Sequence, residues 1–223
     1  MTAGSDDPAR ASGAQDAESG YVAPGLRDEL PGLALRYLTI ARGAGRAPRE
    51  VKERLRLLSD RFDGKQAIVL RQRPIPWAYR VCYRHIGLDP DEQPTPIEGA
   101  VLERMARGRF SSRGLPDDAL TIAIVESGVA MRAFDADRVS GRLGIRPSEP
   151  GEGLEGRPGE LPPGTLAIAD EERPLGLLFG ATASGRAVGP RTRRTTIVAI
   201  QVKGVPDIAA EEALWLASEA MGD

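Results

Sequence analysis

The side chains best suited to nucleophilic, acid–base or metal chemistry are scarce in this sequence, which has one histidine, His85, and one cysteine, Cys82. Any Ser-His-Asp or Cys-His arrangement would have to use that one imidazole, and a two-histidine or cysteine-based metal site cannot be assembled within the chain. An internal disulfide is likewise impossible. The residues therefore predict neither a metal nor a cofactor. His85 has no nucleophile motif beside it and reads as a structural histidine near a helix end. Cys82, three positions earlier, reads as a small buried apolar residue. Asp135 and Asp137 form a carboxylate pair that could suggest metal or acid–base work, yet capping of the turn Asp135 to Val139 explains Asp135 well enough and is the favoured reading. Arg186, Arg191, Arg193 and Arg194 crowd the Gly-containing stretch 183–194. Such a cluster can contact an RNA backbone, its alternative being an ordinary solvated loop. No GxxxxGK phosphate cradle is present, so nucleoside triphosphate chemistry is unsupported.

The chain of 223 residues suits one large domain or a domain with a small appendage. Its 30 basic and 32 acidic residues leave a formal net charge of −2, which argues against a protein that coats DNA through overall positive charge. No apolar run is long enough for a membrane span, and the polar, acidic start lacks the features of a signal peptide, so a cytoplasmic location without membrane attachment is expected.

Residues 1–20 hold nothing aliphatic larger than Ala after Met1 and are expected to form a disordered tail, with the structured domain spanning 21–223. The apolar stretch 33–40 predicts a strand. Val51, Leu55, Leu58 and Phe62 recur at helical spacing and predict an amphipathic helix over 48–62. QAIVL, 66–70, reads as a short buried strand, and Pro74-Ile75-Pro76 as a rigid loop before a helix over 77–86. In that helix Trp77 and Tyr79 could stack on bases, but their setting favours core packing. Thr95-Pro96-Ile97-Glu98 has the features of a capping box opening a helix that ends near Gly108, with Ile97, Ala100, Val101, Leu102 and Met105 as its apolar face. Capping aspartates favour a helix over 117–127. Beyond Val129, short apolar runs at 143–145, 165–169, 174–179 and 195–202, split by Gly and Pro, predict a β-rich half, with 147–164 as a long surface connection. A final helix is expected over 207–221, striped by Ala210, Leu214, Ala217 and Met221.

Three features of this frame carry a family resemblance. They are the aromatic helix ending in the turn Gly87 to Pro90, the Thr95-capped helix ending in Arg107-Gly108, and Gly128 leading to Ala133-Phe134-Asp135-Ala136-Asp137. Together they resemble the B3/B4 domain of the phenylalanyl-tRNA synthetase β subunit, in its stand-alone form, over roughly residues 25–205. The resemblance implies an α+β fold, a single B3/B4-like domain with a mixed β-sheet flanked by helices. It also implies a module that accepts the acceptor end of a mischarged tRNA and cleaves the wrong amino acid ester, without any aminoacylating activity of its own.

Carried over residue by residue, the family's histidine falls on Arg132 and its last-strand glutamate on Gln201, with the preceding threonine on Thr195. Asp118 retains the family aspartate, the asparagine falls near Thr121, and the Gly-Gly element falls on Gly180-Ala181. The pocket implied by the resemblance thus comprises Asp118, Thr121, Glu126, Arg132, Gly180, Thr195 and Gln201. Arg132 stays protonated and cannot serve as a base, although it can hold a carboxylate, phosphate or oxyanion through paired hydrogen bonds. The resemblance therefore implies binding of tRNA or aminoacyl-tRNA and leaves open whether the chain is an ester hydrolase. The alternative is a non-catalytic binding module for a small amino-acid-like metabolite or a protein partner, which the replaced histidine and glutamate favour.

Overall fold

Every residue of the strand Thr195–Gln201 is buried, and the rest of the molecule is arranged around it. The computed structural model describes residues 17–62 and 64–222. Its strands are β1 (Glu18–Ser19), β2 (Tyr21–Val22), β3 (Ala34–Ile40), β4 (Ala130–Asp135), β5 (Gly144–Pro147), β6 (Leu166–Ala169), β7 (Pro174–Leu177) and β8 (Thr195–Gln201). The helices are α1 (Pro24–Glu29), α2 (Arg49–Arg61), α3 (Gly64–Leu70), α4 (Pro74–His85), α5 (Pro96–Arg107), α6 (Asp117–Ser127) and α7 (Asp207–Met221). One four-stranded antiparallel sheet has the order β1-β3-β8-β4. The other has the order β2-β5-β6-β7, with β2 parallel to β5 and the remaining pairs antiparallel. The expected α+β class, with helices flanking mixed β structure in one domain, is what the chain adopts.

Side-chain alternation on β8 defines two layers. Arg36 pairs with Ala199 in register and reaches Asp207 and Glu211 of α7, so the face bearing Thr195, Ile197, Ala199 and Gln201 looks toward α7. The opposite face, with Thr196, Val198 and Ile200, looks toward the second sheet. The chain passes from one sheet to the other at Gly20. A Cβ there would lie 2.9 Å from both the Leu143 carbonyl oxygen and the Leu35 Cβ, so only glycine fits between β1 and β2.

The expected helices over 48–62, 77–86, 95–107, 117–127 and 207–221 all form, with shifts of a few residues. The α5 cap is a capping box of Thr95 and Glu98, closed by left-handed Gly108. Several expectations are corrected. QAIVL belongs to helix α3 rather than a strand: Leu70 is buried and Ala67 packs partly against the core, while Ile68 is 71% exposed. A short apolar run has no period that separates strand from helix. Pro74 and Pro76 lie inside the first turn of α4, where amide donors have no helical partner to lose. Trp77 is 51% exposed instead of packed, and Leu102 and Met105 also face solvent, so the apolar stripe of α5 is narrower than its sequence suggests. Of the expected tail, residues 1–16 lie outside the described residues, whereas Glu18–Ser19 already forms a strand against β3. The segment 147–164 contributes Leu154 and Leu161 to a small apolar cluster with Ala183.

Polar ties hold the layers together. The Tyr79 hydroxyl donates to the Ile200 carbonyl at 2.5 Å and accepts from the Ala130 amide at 3.0 Å, joining α4 to β8 and β4. Buried Arg80 donates to Glu98 at 2.7 Å and to Asp91 at 2.6 Å. Glu98 in turn accepts from the Thr95 amide and hydroxyl, so the salt bridge and the α5 cap are one network. Arg146 grips Glu152 through two bonds, at 2.7 and 2.5 Å, and holds its carboxyl below the ordinary carboxylate range.

Removing Arg80 takes from buried Glu98 its closest cation and leaves only the partly exposed Arg71 at 3.2 Å, so Arg80→Met is expected to cost about 3 kcal/mol in urea unfolding, the low end for breaking a buried pair. The double variant Arg80→Met/Glu98→Leu should recover part of that loss, and a double variant as unstable as the single would refute the ion-pair account. Because the folded-state pKa of Glu152 is depressed, its contribution is complete above the unfolded value of about 4.3 and is lost as pH falls through the folded value. Thermal melts across that acid range should show a shallower pH dependence for Arg146→Gln than for the unaltered protein.

Candidate functional site

The residues that sequence reasoning groups into one pocket separate between the two faces of the central sheet. Arg132 on β4 pairs in register with Val198 of β8 and shares its face, toward the second sheet. Thr195 and Gln201 belong to the other face and sit at opposite ends of the strand. Thr195 Oγ1 donates to the Arg42 carbonyl at 2.6 Å, while Gln201 Nε2 donates to the Val205 carbonyl at 2.9 Å and to Asp207 at 2.6 Å. Both are buried, and these bonds are what burial demands of them.

The three α6 positions are likewise engaged by bonds within the fold. Buried Asp118 accepts from the Ser112 hydroxyl at 2.5 Å and the Arg113 amide at 2.7 Å, fixing the loop before its helix. The Thr121 hydroxyl bonds the carbonyl of Asp117, one turn back. Glu126 receives two bonds from Arg54, which also reaches Glu219, so α2, α6 and α7 are tied together.

Only Arg132 and Gly180 of the predicted set meet. Arg132 Nη1 donates to the carbonyls of Leu177 and Gly180, both at 2.7 Å, and Nη2 donates to Thr182 Oγ1 at 2.5 Å. Its guanidinium also lies 5.9 Å from the centre of the Phe134 ring. No carboxylate pairs with it among the described residues, and burial pushes its pKa down to about 10, which still leaves it cationic at neutral pH. The effect is to clamp the turn 177–182 onto β4.

That turn forms one wall of a cleft of about 620 Å³. Leu26 and Leu30 around α1, Ile86 and Leu88 after α4, Leu166 of β6, and Leu178 and Phe179 in the turn after β7 make it mostly apolar. Polar groups enter from Glu29, His85, Gln93 and Thr165. Phe179 is held against Tyr83 at 4.6 Å between ring centres, and its carbonyl accepts from Gln93 Nε2 at 2.9 Å. Size and lining match a site for a small organic ligand with an apolar part and a few polar anchors. Of the predicted pocket residues, Gly180 alone lines it. His85, which reads from sequence as structural, stands in its wall, and Gln93 and Phe179 escape sequence reasoning. Their only sequence signal is position in turns after helix α4 and strand β7, which becomes informative once those turns are known to converge.

Cys82 is buried, and its thiol is pushed up to about 11, too high for a thiolate nucleophile at neutral pH. Asp135 caps the following turn by accepting from the Asp137 amide at 3.1 Å, as its capping alternative requires. Among the described residues no group of three His, Cys, Asp or Glu is placed to hold a metal ion, and no helix is long and apolar enough to cross a membrane. In the basic loop, Arg186 is largely covered, pairs with Glu155 at 3.7 Å and donates to the Arg138 carbonyl, and Arg194 lies 3.7 Å from Asp137. Arg191 and Arg193 are exposed and form no ion pair among the described residues.

Comparison with known proteins places part of the chain. Over 128 residues, 55% of its length, it is 32% identical to the phenylalanine–tRNA ligase beta subunit of Legionella pneumophila strain Lens, of which that stretch is 16%. It is 38% identical over 104 residues to the corresponding subunit of Xanthomonas campestris pv. campestris strain 8004, covering 45% of this chain and 13% of the relative. The Yersinia pestis subunit is 36% identical over 85 residues, 36% of this chain and 10% of its own. No family model matches. The chain therefore contains a region similar to this synthetase subunit and spans at most about a sixth of the relatives' length.

A lysine at 132 cannot reproduce three bonds from a planar fork. Amide hydrogen exchange over 177–183 is therefore expected to accelerate in Arg132→Lys while β3 and β8 keep their protection. Unchanged exchange in that turn would show that the clamp is dispensable.

Proposed function

We propose that this protein is a B3/B4-type module that binds tRNA or aminoacyl-tRNA, with the cleft beside the Arg132-clamped turn receiving the aminoacyl end. The observation that carries this reading is the cleft itself. It is large enough for an amino acid ester, apolar along most of its wall, and anchored by Gln93, Thr165 and Glu29 at its polar points. Similarity to a tRNA ligase subunit over about half the chain supports an RNA-linked ligand over an unrelated metabolite.

Under this reading Arg132 is a positioning residue, because its donors are already committed to the turn that shapes the cleft. The ligand contacts that the resemblance implies for Asp118, Thr121, Glu126, Thr195 and Gln201 give way to scaffold roles, while Gly180 stays at the wall. Ester hydrolysis needs a group that can take a proton from water near neutral pH. In the cleft the imidazole of His85 is the side chain suited to that task. A second reading, a binding module that performs no hydrolysis, is favoured by the fact that Arg132 and Gln201, the positions where the resemblance places the family's histidine and glutamate, are both spent on internal bonds.

Purified protein mixed with tRNAs mischarged with several amino acids should retain at least one of them on a filter at low salt. Loss of the ester above background, abolished in His85→Gln with binding retained, would establish the hydrolytic reading. Binding without ester loss would establish the second. Neither binding nor ester loss with any mischarged tRNA would overturn both.

A further inference from the structure

The register of the central sheet brings separate arginine-bearing loops to one end of the molecule. Ile40 of β3 and Asp135 of β4 both pair with Thr195 of β8, so all three strands finish in the same row. Beyond that row lie Arg42 and Arg46 after β3, Arg138 after β4, and Arg191 and Arg193 before β8. The loops are pressed together. A Cβ on Gly43 would fall 1.7 Å from the Thr192 carbonyl oxygen, so the 41–48 loop can approach the 189–194 loop only with glycine at that point. The bond from Thr195 Oγ1 to the Arg42 carbonyl is a second tie, and the Ala136 amide bonds the Arg194 carbonyl at 3.0 Å.

Residue order alone shows only the 186–194 cluster, and tertiary structure changes its membership. Arg186 and Arg194 are engaged by Glu155 and Asp137. Arg42, Arg46, Arg138, Arg191 and Arg193 are exposed, and none forms an ion pair among the described residues. On a chain of net charge −2, this concentration is a local excess that the total conceals. The exposed large apolar side chains, among them Ile68, Trp77, Ile208 and Trp215, all lie on helices and none in these loops. A protein partner would normally be anchored by buried aromatic or aliphatic groups. Guanidinium groups on tight, glycine-containing loops match what a sugar–phosphate backbone requires.

We propose that this strand-end surface, built from the 41–48 and 189–194 loops together with Arg138, is a docking site for an RNA phosphate backbone. The choice of RNA rests on the reading of the protein as a tRNA-interacting module. Phosphate contacts position the nucleic acid and carry no base specificity, so recognition of the aminoacyl group stays with the cleft.

The test is fluorescence anisotropy with a labelled RNA hairpin bearing a single-stranded 3′ tail, across a salt series. The unaltered protein should bind with steep salt dependence. Arg42→Gln/Arg46→Gln/Arg191→Gln/Arg193→Gln should bind about tenfold or more weakly, and its log–log salt slope should fall by about three, at roughly 0.7–0.9 for each phosphate no longer neutralised. Arg61→Gln/Arg73→Gln/Arg84→Gln/Arg157→Gln, with the same net charge, should stay within about twofold of the unaltered protein, as a position-specific electrostatic effect requires. If the four-fold loop variant does not fold, Arg191→Gln/Arg193→Gln carries the same test, with about half the change in slope. Arg191→Lys/Arg193→Lys, which keeps the charge, should retain binding. Equal losses in the loop and control variants, unaltered binding by the loop variants, or equal displacement by polyglutamate would each overturn the proposal. Salt-sensitive RNA binding that maps to these loops, without ester loss or aminoacyl preference, would leave this surface standing while the cleft assignment falls. Deacylation that survives the loop substitutions at unchanged tRNA affinity would do the reverse.

Discussion

Burial of β8 on both faces is the constraint from which most of the architecture follows. Its seven residues include two threonines and a glutamine, and buried polar groups must find internal partners or destabilise the fold. Thr196 meets Thr39 across the strand pair at 2.9 Å, Thr195 meets the Arg42 carbonyl, and Gln201 reaches the loop and first residue of α7. Each of these bonds also fixes a neighbouring element. The turn after β3 is held at one end of β8, and the start of α7 is held at the other. The same strand determines where cations collect, because the residues just outside its buried span are the first that can be charged without being paired.

The alternation that buries β8 separates two kinds of work. One face meets α7, where Arg36, Asp207 and Glu211 share ion pairs and the α2–α6–α7 corner is tied by Arg54. The other meets the second sheet, where Arg132 spends its donors on carbonyl oxygens of a turn. A guanidinium in that position behaves as a brace, satisfying carbonyls that a displaced turn would leave unpaired. The proposed ligand cleft exists because that brace holds the turn open against the end of α4. The proposed RNA surface lies at a different place, the strand ends, so shape recognition and charge recognition are assigned to separate parts of one scaffold.

Much of the fold is legible from residue order. The spacing of Val51, Leu55 and Leu58, the Thr95–Glu98 box and the small-residue stripe of α7 each encode an element in local geometry, and those elements form. QAIVL misleads because five residues with a run of apolar side chains satisfy both periods, and only the absence of a neighbouring strand decides between them. The strand at Glu18–Ser19 carries no local signal at all, since its formation depends on pairing with β3. The candidate site is far less legible. Its residues come from α1, α4, the loop before α5, β6 and β7, and nothing in their sequence neighbourhoods marks them as neighbours in space.

By itself the sequence determined what chemistry was available: one imidazole, one thiol, no disulfide and an abundance of arginine set against acids. It also determined most helices, because amphipathic period and capping act within a few residues. Only tertiary structure decided which of those groups remain free. Arg132, Gln201 and Asp118 are identical in type to ligand-binding residues, and it is their burial beside backbone acceptors and donors that commits them to the scaffold. Arg42 and Arg193 are ordinary in sequence, and strand register places them together without acidic partners among the described residues. Free donors and acceptors are what remain after folding has satisfied the buried ones, and that balance is a property of the packed chain.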